Sequence, residues 1–195
     1  MKKILMLFQY TEVNQMNKTF RIVFIGLLVS QALALYTIES MIPVPFIAPG
    51  AKLGLANLIT VISLYTLNSK KDVFLVIILR LLLSTMFGGS LSTFMYGVAG
   101  AILSYLVMIC VKELGKDKVS IIGVSASGAL FHNVGQLIVA SAIVQNIAIM
   151  LYLPILSIAG VGTGIFVGIT ANFIVKHMSK LPYFRDVDIN KNVTK

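Results

Sequence analysis

Residues 68–87, NSKKDVFLVIILRLLLSTMF, open as a tight polar turn and then run apolar from Val73 to Phe87, with Arg80 as the one charge inside the run. A soluble helix alternates a polar with an apolar face, and this run shows no such alternation, so the stretch reads as a helix buried in lipid or protein. At 1.5 Å per residue it reaches only about 22 Å, short of a hydrocarbon core of about 30 Å. Polar residues at its ends, a tilt or shielding by neighbours must make up the difference.

The rest of the chain repeats the pattern. Of 195 residues 57% are hydrophobic and 12% charged, and the mean hydropathy is +0.93, which places the chain among polytopic membrane proteins. Apolar spans are expected at Phe20–Ile38, Leu53–Leu67, Val73–Phe87, Leu91–Val111, about Val119–Ile143 and about Ile147–Val175, with Pro154 kinking the last. Between the first two, Pro43, Pro45, Pro49 and Gly50 forbid a regular helix and imply an ordered, re-entrant segment. The expected fold is all-α: a six-helix membrane domain over residues 20–178, an N-terminal extension over 1–19 and a polar tail over 179–195. Residues 1–15 lack a secretion-signal core and cleavage site. Met16 ahead of Asn17, Lys18 and Thr19 makes a natural start, which reads 1–15 as an extension the fold can dispense with or as a start-site artefact.

Charge fixes the expected orientation. Lys2, Lys3, Lys18 and Arg21 precede the first span, and Lys70 and Lys71 follow the second. Lys112, Lys116 and Lys118 follow the fourth, and Lys176, Lys180, Arg185, Lys191 and Lys195 follow the sixth. With six crossings all share one face, which the positive-inside rule makes cytoplasmic, with both termini inside the plasma membrane. The net charge of +9 is therefore explained by topology and anionic lipid headgroups, and nucleic acid is not needed to explain it.

The two exceptions are Lys52 and Arg80. A charge at membrane depth costs at least a few kcal/mol, so Arg80 needs a polar cavity or a partner such as Glu39. Lys52 stands beyond the proline-rich segment on the outer side, ahead of Asn57. It either snorkels to the interface or adds charge to helix N–H groups that hold an anionic ligand. In the fifth span His132 and Asn133 lie four and three residues before Gln136, so the three line one face, as a ligand site or as polar glue between helices. Gln31 is able to join either arrangement. Gly26, Ser30 and Ala34 form a small-residue stripe on the first span that admits another helix. Cys110 has no partner in sequence and is expected as a buried apolar filler.

Catalytic readings find little support. The acids Glu12, Glu39, Asp72, Glu113, Asp117, Asp186 and Asp188 form no clustered carboxylate motif within a span, His132 and His177 stand at unrelated depths, and no phosphate-binding glycine loop is present. No catalytic residue, metal or cofactor is expected.

The run Gly50-Ala51-Lys52-Leu53-Gly54-Leu55-Ala56-Asn57, the intramembrane Arg80, and His132-Asn133-Val134-Gly135-Gln136 together resemble the Gx transporter family, also catalogued as heptaprenyl diphosphate synthase component I, over residues 20–178. That family is regarded as resembling the substrate-binding S components of energy-coupling factor (ECF) transporters. The resemblance implies six helices and a solute cavity open to the outside. It also implies association, partly through small residues of helix one, with a T subunit and two ATPases. The expectation is an S-component-like protein that captures a small polar or anionic solute, with Lys52 and Arg80 supplying charge and Asn57, His132, Asn133 and Gln136 orienting it. No intramembrane acid offers a proton or sodium relay, so coupling to ATPases is favoured over secondary transport. The alternative is a non-catalytic membrane accessory of prenyl diphosphate or quinone synthesis; the aspartate-rich motifs of chain-elongating prenyl synthases are missing. A self-sufficient facilitator is the third reading, and substrate identity stays open.

Overall fold

A computed structural model describes residues 18–41, 54–87 and 91–181, and among those residues the regular structure is all helical, with no strand. Six α-helices follow in order: α1 Lys18–Met41, α2 Asn57–Thr66, α3 Lys70–Met86, α4 Leu91–Gly115, α5 Ile121–Val144 and α6 Leu153–Met178. Short 3₁₀ turns at Lys116–Lys118 and Ile147–Tyr152 lead into α5 and α6. Lys52 and the proline-rich segment around it lie outside the described residues.

Local chemistry sets the boundaries. The Ser120 hydroxyl caps α5 by accepting from Gly123 N at 3.2 Å, and the helix ends where Gln145 turns left-handed at φ 53°. Pro154 does not kink the last span: it sits in the first turn of α6, after a separate 3₁₀ turn. A proline there loses no hydrogen bond, because the first N–H groups of a helix have no intrahelical acceptor.

Among the described residues, four stretches are long and apolar enough to cross a membrane: Lys18–Met41, Phe94–Gly115, Ile121–Val144 and Ile147–Met178. α2 has 10 residues, about 15 Å of helix. It compensates by burial, because every residue of α2 except Leu58 is buried. It packs against α1, α3, α5 and α6, and Ile59, Val61, Ile62, Leu64 and Tyr65 sit in the common core with Leu28 of α1 and Ile77 of α3.

Small residues set how the remaining helices meet. Gly160, Gly164 and Gly168 form a four-residue stripe on α6 that lies against α5. A Cβ on Gly164 would stand 2.8 Å from Ala126 Cα, and one on Gly168 2.6 Å from Ile122 Cα. Gly135 of α5 meets α4 as closely: a Cβ there would stand 2.7 Å from the Ala99 carbonyl oxygen. Backbones this near each other gain dispersion contacts that larger side chains would prevent, the dominant attraction where lipid offers no hydrophobic contrast. Gly26, Ser30 and Ala34 of α1 behave oppositely: all three are exposed, and a Cβ on Gly26 would meet nothing within 4 Å. Cys110 is also exposed on the outside of the bundle, which corrects the expectation of a buried filler. A thiol is apolar enough to face lipid, so an apolar sequence context does not distinguish core from periphery.

Apart from Arg80, the described basic residues with polar partners gather at one end. Arg21 pairs with Asp72, and Lys70 with Glu113. Lys112 donates from Nζ to the Leu64 carbonyl at 2.6 Å and stands 4.3 Å from the centre of the Tyr65 ring. A cation there satisfies an orphan carbonyl of the last turn of α2 and complements the negative end of that helix.

Candidate functional site

At the opposite end of the bundle lies a partly open cavity of about 60 Å³, its walls largely apolar with polar side chains set among them. The Glu39 end of α1, the start of α2, the last turns of α3, the start of α4 and the second half of α5 converge on it. Gly54 makes the entry possible: its φ of 85° is a backbone state open to glycine at little cost. The resulting turn closes with Asn57 N donating to Gly54 O at 2.9 Å, while Gly54 N donates to Glu39 Oε1 at 2.6 Å. That bond ties α1 to the head of α2 and holds a buried carboxylate at the cavity wall. Glu39, one of the partners open to Arg80 from the sequence, forms no ion pair with it among the described residues.

Arg80 is 7% exposed and donates from Nη2 to Asn57 Oδ1 at 3.2 Å. On α5, His132 Nε2 and Gln136 Nε2 lie 3.1 Å apart, one helical turn from each other. These four residues and Glu39 line the cavity, with Ala32, Leu81 and Phe94 among its apolar walls. Four buried side-chain atoms of these lining residues have no hydrogen-bond partner: Asn57 Nδ2, Arg80 Nε, His132 Nδ1 and Gln136 Oε1. Each orphan costs about 1–3 kcal/mol, which a bound polar molecule recovers by supplying the missing partners. A protein selected for stability alone would have filled this space with apolar side chains.

Of the residues singled out from sequence, Asn57, Arg80, His132 and Gln136 are brought together. Asn133 is not. It donates from Nδ2 to the Leu156 carbonyl at 2.6 Å, beside Gly160, whose missing Cβ makes room for the amide. Three and four residues separate Asn133 and His132 from Gln136, yet the pair faces two different neighbours, because adjacent residues on a helix point about 100° apart. Asn133 glues α5 to α6. Gln31 is exposed on α1 and lines an apolar groove with Ala34, Leu58 and Ile174, away from the cavity. Lys52 lies outside the described residues.

Glu39 was missed as a site residue, although its signal was plain: it is the one acid at the outer end of a predicted span. Ser84 and Thr85 also reach the lining. Their hydroxyls donate to the Leu81 carbonyl at 2.9 and 2.8 Å, which is why polar residues are tolerated at the end of α3.

The family model described as heptaprenyl diphosphate synthase component I matches residues 28–174, a range that contains every described residue of the cavity. Comparison with curated proteins and with solved structures returns no match.

Proposed function

From the premise that the chain belongs to the heptaprenyl diphosphate synthase component I family, we propose that it is a membrane solute-capture component of the ECF S type and not an enzyme. The observation that carries this reading is the cavity: an arginine, a carboxylate and three hydrogen-bonding side chains converge on space large enough for a polar group, with donors and acceptors left over. In this reading α2 and α3 complete six crossings, the basic end faces the cytoplasm and both termini are inside. The cavity then opens toward the outer face of the plasma membrane, where a solute is captured.

Energy for release comes from partners, a T subunit and two ATPases. Support comes from α1, where Gly26, Ser30 and Ala34 are exposed along one stripe and Gln31 faces outward beside them. A glutamine facing lipid is costly, and a partner helix that accepts and donates hydrogen bonds removes the cost.

A second reading follows the family's printed description: an accessory membrane component of prenyl diphosphate synthesis. It fits the cavity less well, since a cytoplasmic lipid diphosphate approaches from the basic end and the cavity is at the other. Affinity purification from native membranes in mild detergent separates the two. Recovery of a T subunit with ATPases supports solute capture, and recovery of a prenyl synthase subunit without any ATPase favours the accessory reading.

A further inference from the structure

The cavity holds both signs of charge, and neither is spent on the other. Glu39 is 3% exposed and Arg80 7%, so both are withdrawn from water. Glu39 gives an oxygen to Gly54 N and Arg80 an N–H to the neutral amide of Asn57. They face one space, near enough for the carboxylate to act on the guanidinium. Among the described residues, however, the ion pairs within 4.0 Å are Arg21–Asp72 and Lys70–Glu113. A pair kept for stability alone would close in the low dielectric of a bundle interior, where bringing opposite charges together is rewarded most.

The orphan atoms sort the same way. Arg80 Nε and Asn57 Nδ2 are donors awaiting an acceptor, Gln136 Oε1 is an acceptor awaiting a donor, and His132 Nδ1 takes either role according to its tautomer. A solute that is only anionic would satisfy the first two and place like charge before Glu39; one that is only cationic would do the reverse. Resting on the solute-capture reading, we propose that the cavity selects a compact amphoteric solute. Its carboxylate or other oxyanion sits on Arg80 and Asn57, and its ammonium or N–H group faces Glu39 and Gln136. The volume of about 60 Å³ equals about four to six water-sized spheres at about 10–15 Å³ each, which suits the head of an amino acid and leaves the Leu81 and Phe94 walls for a short hydrocarbon part.

The test uses the full chain in lipid nanodiscs and three matched probe pools: the standard amino acids, their deaminated carboxylic acids and their decarboxylated amines. Thermal unfolding reads binding. The amino-acid pool is expected to raise the midpoint while the other two do not, and Arg80→Gln is expected to abolish the shift. Glu39→Gln keeps an oxygen for Gly54 N–H while exchanging the charge and the second oxygen for an NH₂ group, and a size-exclusion profile matching wild type is the condition for reading its binding. It is expected to improve binding of the acid pool relative to the amino acids by about tenfold or more. Equal binding of the acid pool by wild type, unchanged in Glu39→Gln, overturns the amphoteric class and leaves solute capture standing. Silence from all three pools overturns the class as well, and the fate of solute capture is then read from whether wild-type protein purifies with any bound small molecule.

Discussion

Arg80, in the last turns of α3, donates to Oδ1 of Asn57, the first residue of α2, at 3.2 Å with both side chains buried. One bond thus fixes the head of the central helix and aims a guanidinium at the cavity.

Removing either partner orphans the other. Arg80→Met and Asn57→Leu are each expected to destabilise the protein by about 1–3 kcal/mol, and the double variant by less than the sum, with a coupling of about 1 kcal/mol. Detergent-solubilised unfolding of the four proteins in the cycle measures it; strict additivity contradicts the bond.

Asn133 and Gln136 are predicted to separate by role. Asn133→Ala loses the bond to Leu156 O and should cost about 1 kcal/mol of stability while leaving solute affinity within about twofold. Gln136→Leu removes an orphaned acceptor but also the bond to His132 Nε2, so it should cost about 1 kcal/mol of stability, as Asn133→Ala does, and, unlike it, weaken binding by about tenfold or more. Thermal unfolding and equilibrium binding on the same preparations check both.

Glycine position decides tolerance. Gly164→Leu forces a side chain onto Ala126 Cα and should abolish the folded species on size exclusion. Gly26→Leu has open space around it, so the isolated protein should fold normally while co-purification of a partner subunit is lost.

Lys112 is expected to matter for the fold despite its charge. Lys112→Met removes the Leu64 carbonyl's donor and the contact with Tyr65, a loss of about 1–3 kcal/mol, readable as a lowered unfolding midpoint with unchanged solute affinity.

Helix number and type were legible because lipid-facing and core-facing residues are both apolar and leave long uninterrupted runs. That same property hid the interior from view. Gly160, Gly164 and Gly168 carry the α5–α6 contact, yet in sequence they look no different from Gly26, Ser30 and Ala34, which are exposed. Arg80 was legible because a charge in an apolar run is expensive wherever it occurs. Asn133 misled for the opposite reason: a buried amide must be satisfied, and spacing alone does not tell whether a backbone carbonyl on the next helix or a ligand does it. Pro154 reads as a kink until the preceding 3₁₀ turn shows that the helix begins there.

The central claim is that the Arg80 cavity holds a small solute, and bound-molecule mass spectrometry of wild type against Arg80→Gln, both purified from native membranes, tests it most directly. A small polar molecule present on the wild type and missing from an equally folded Arg80→Gln protein is the predicted result. The same molecules on both proteins, or a lipid diphosphate on the wild type in place of a solute, would contradict it.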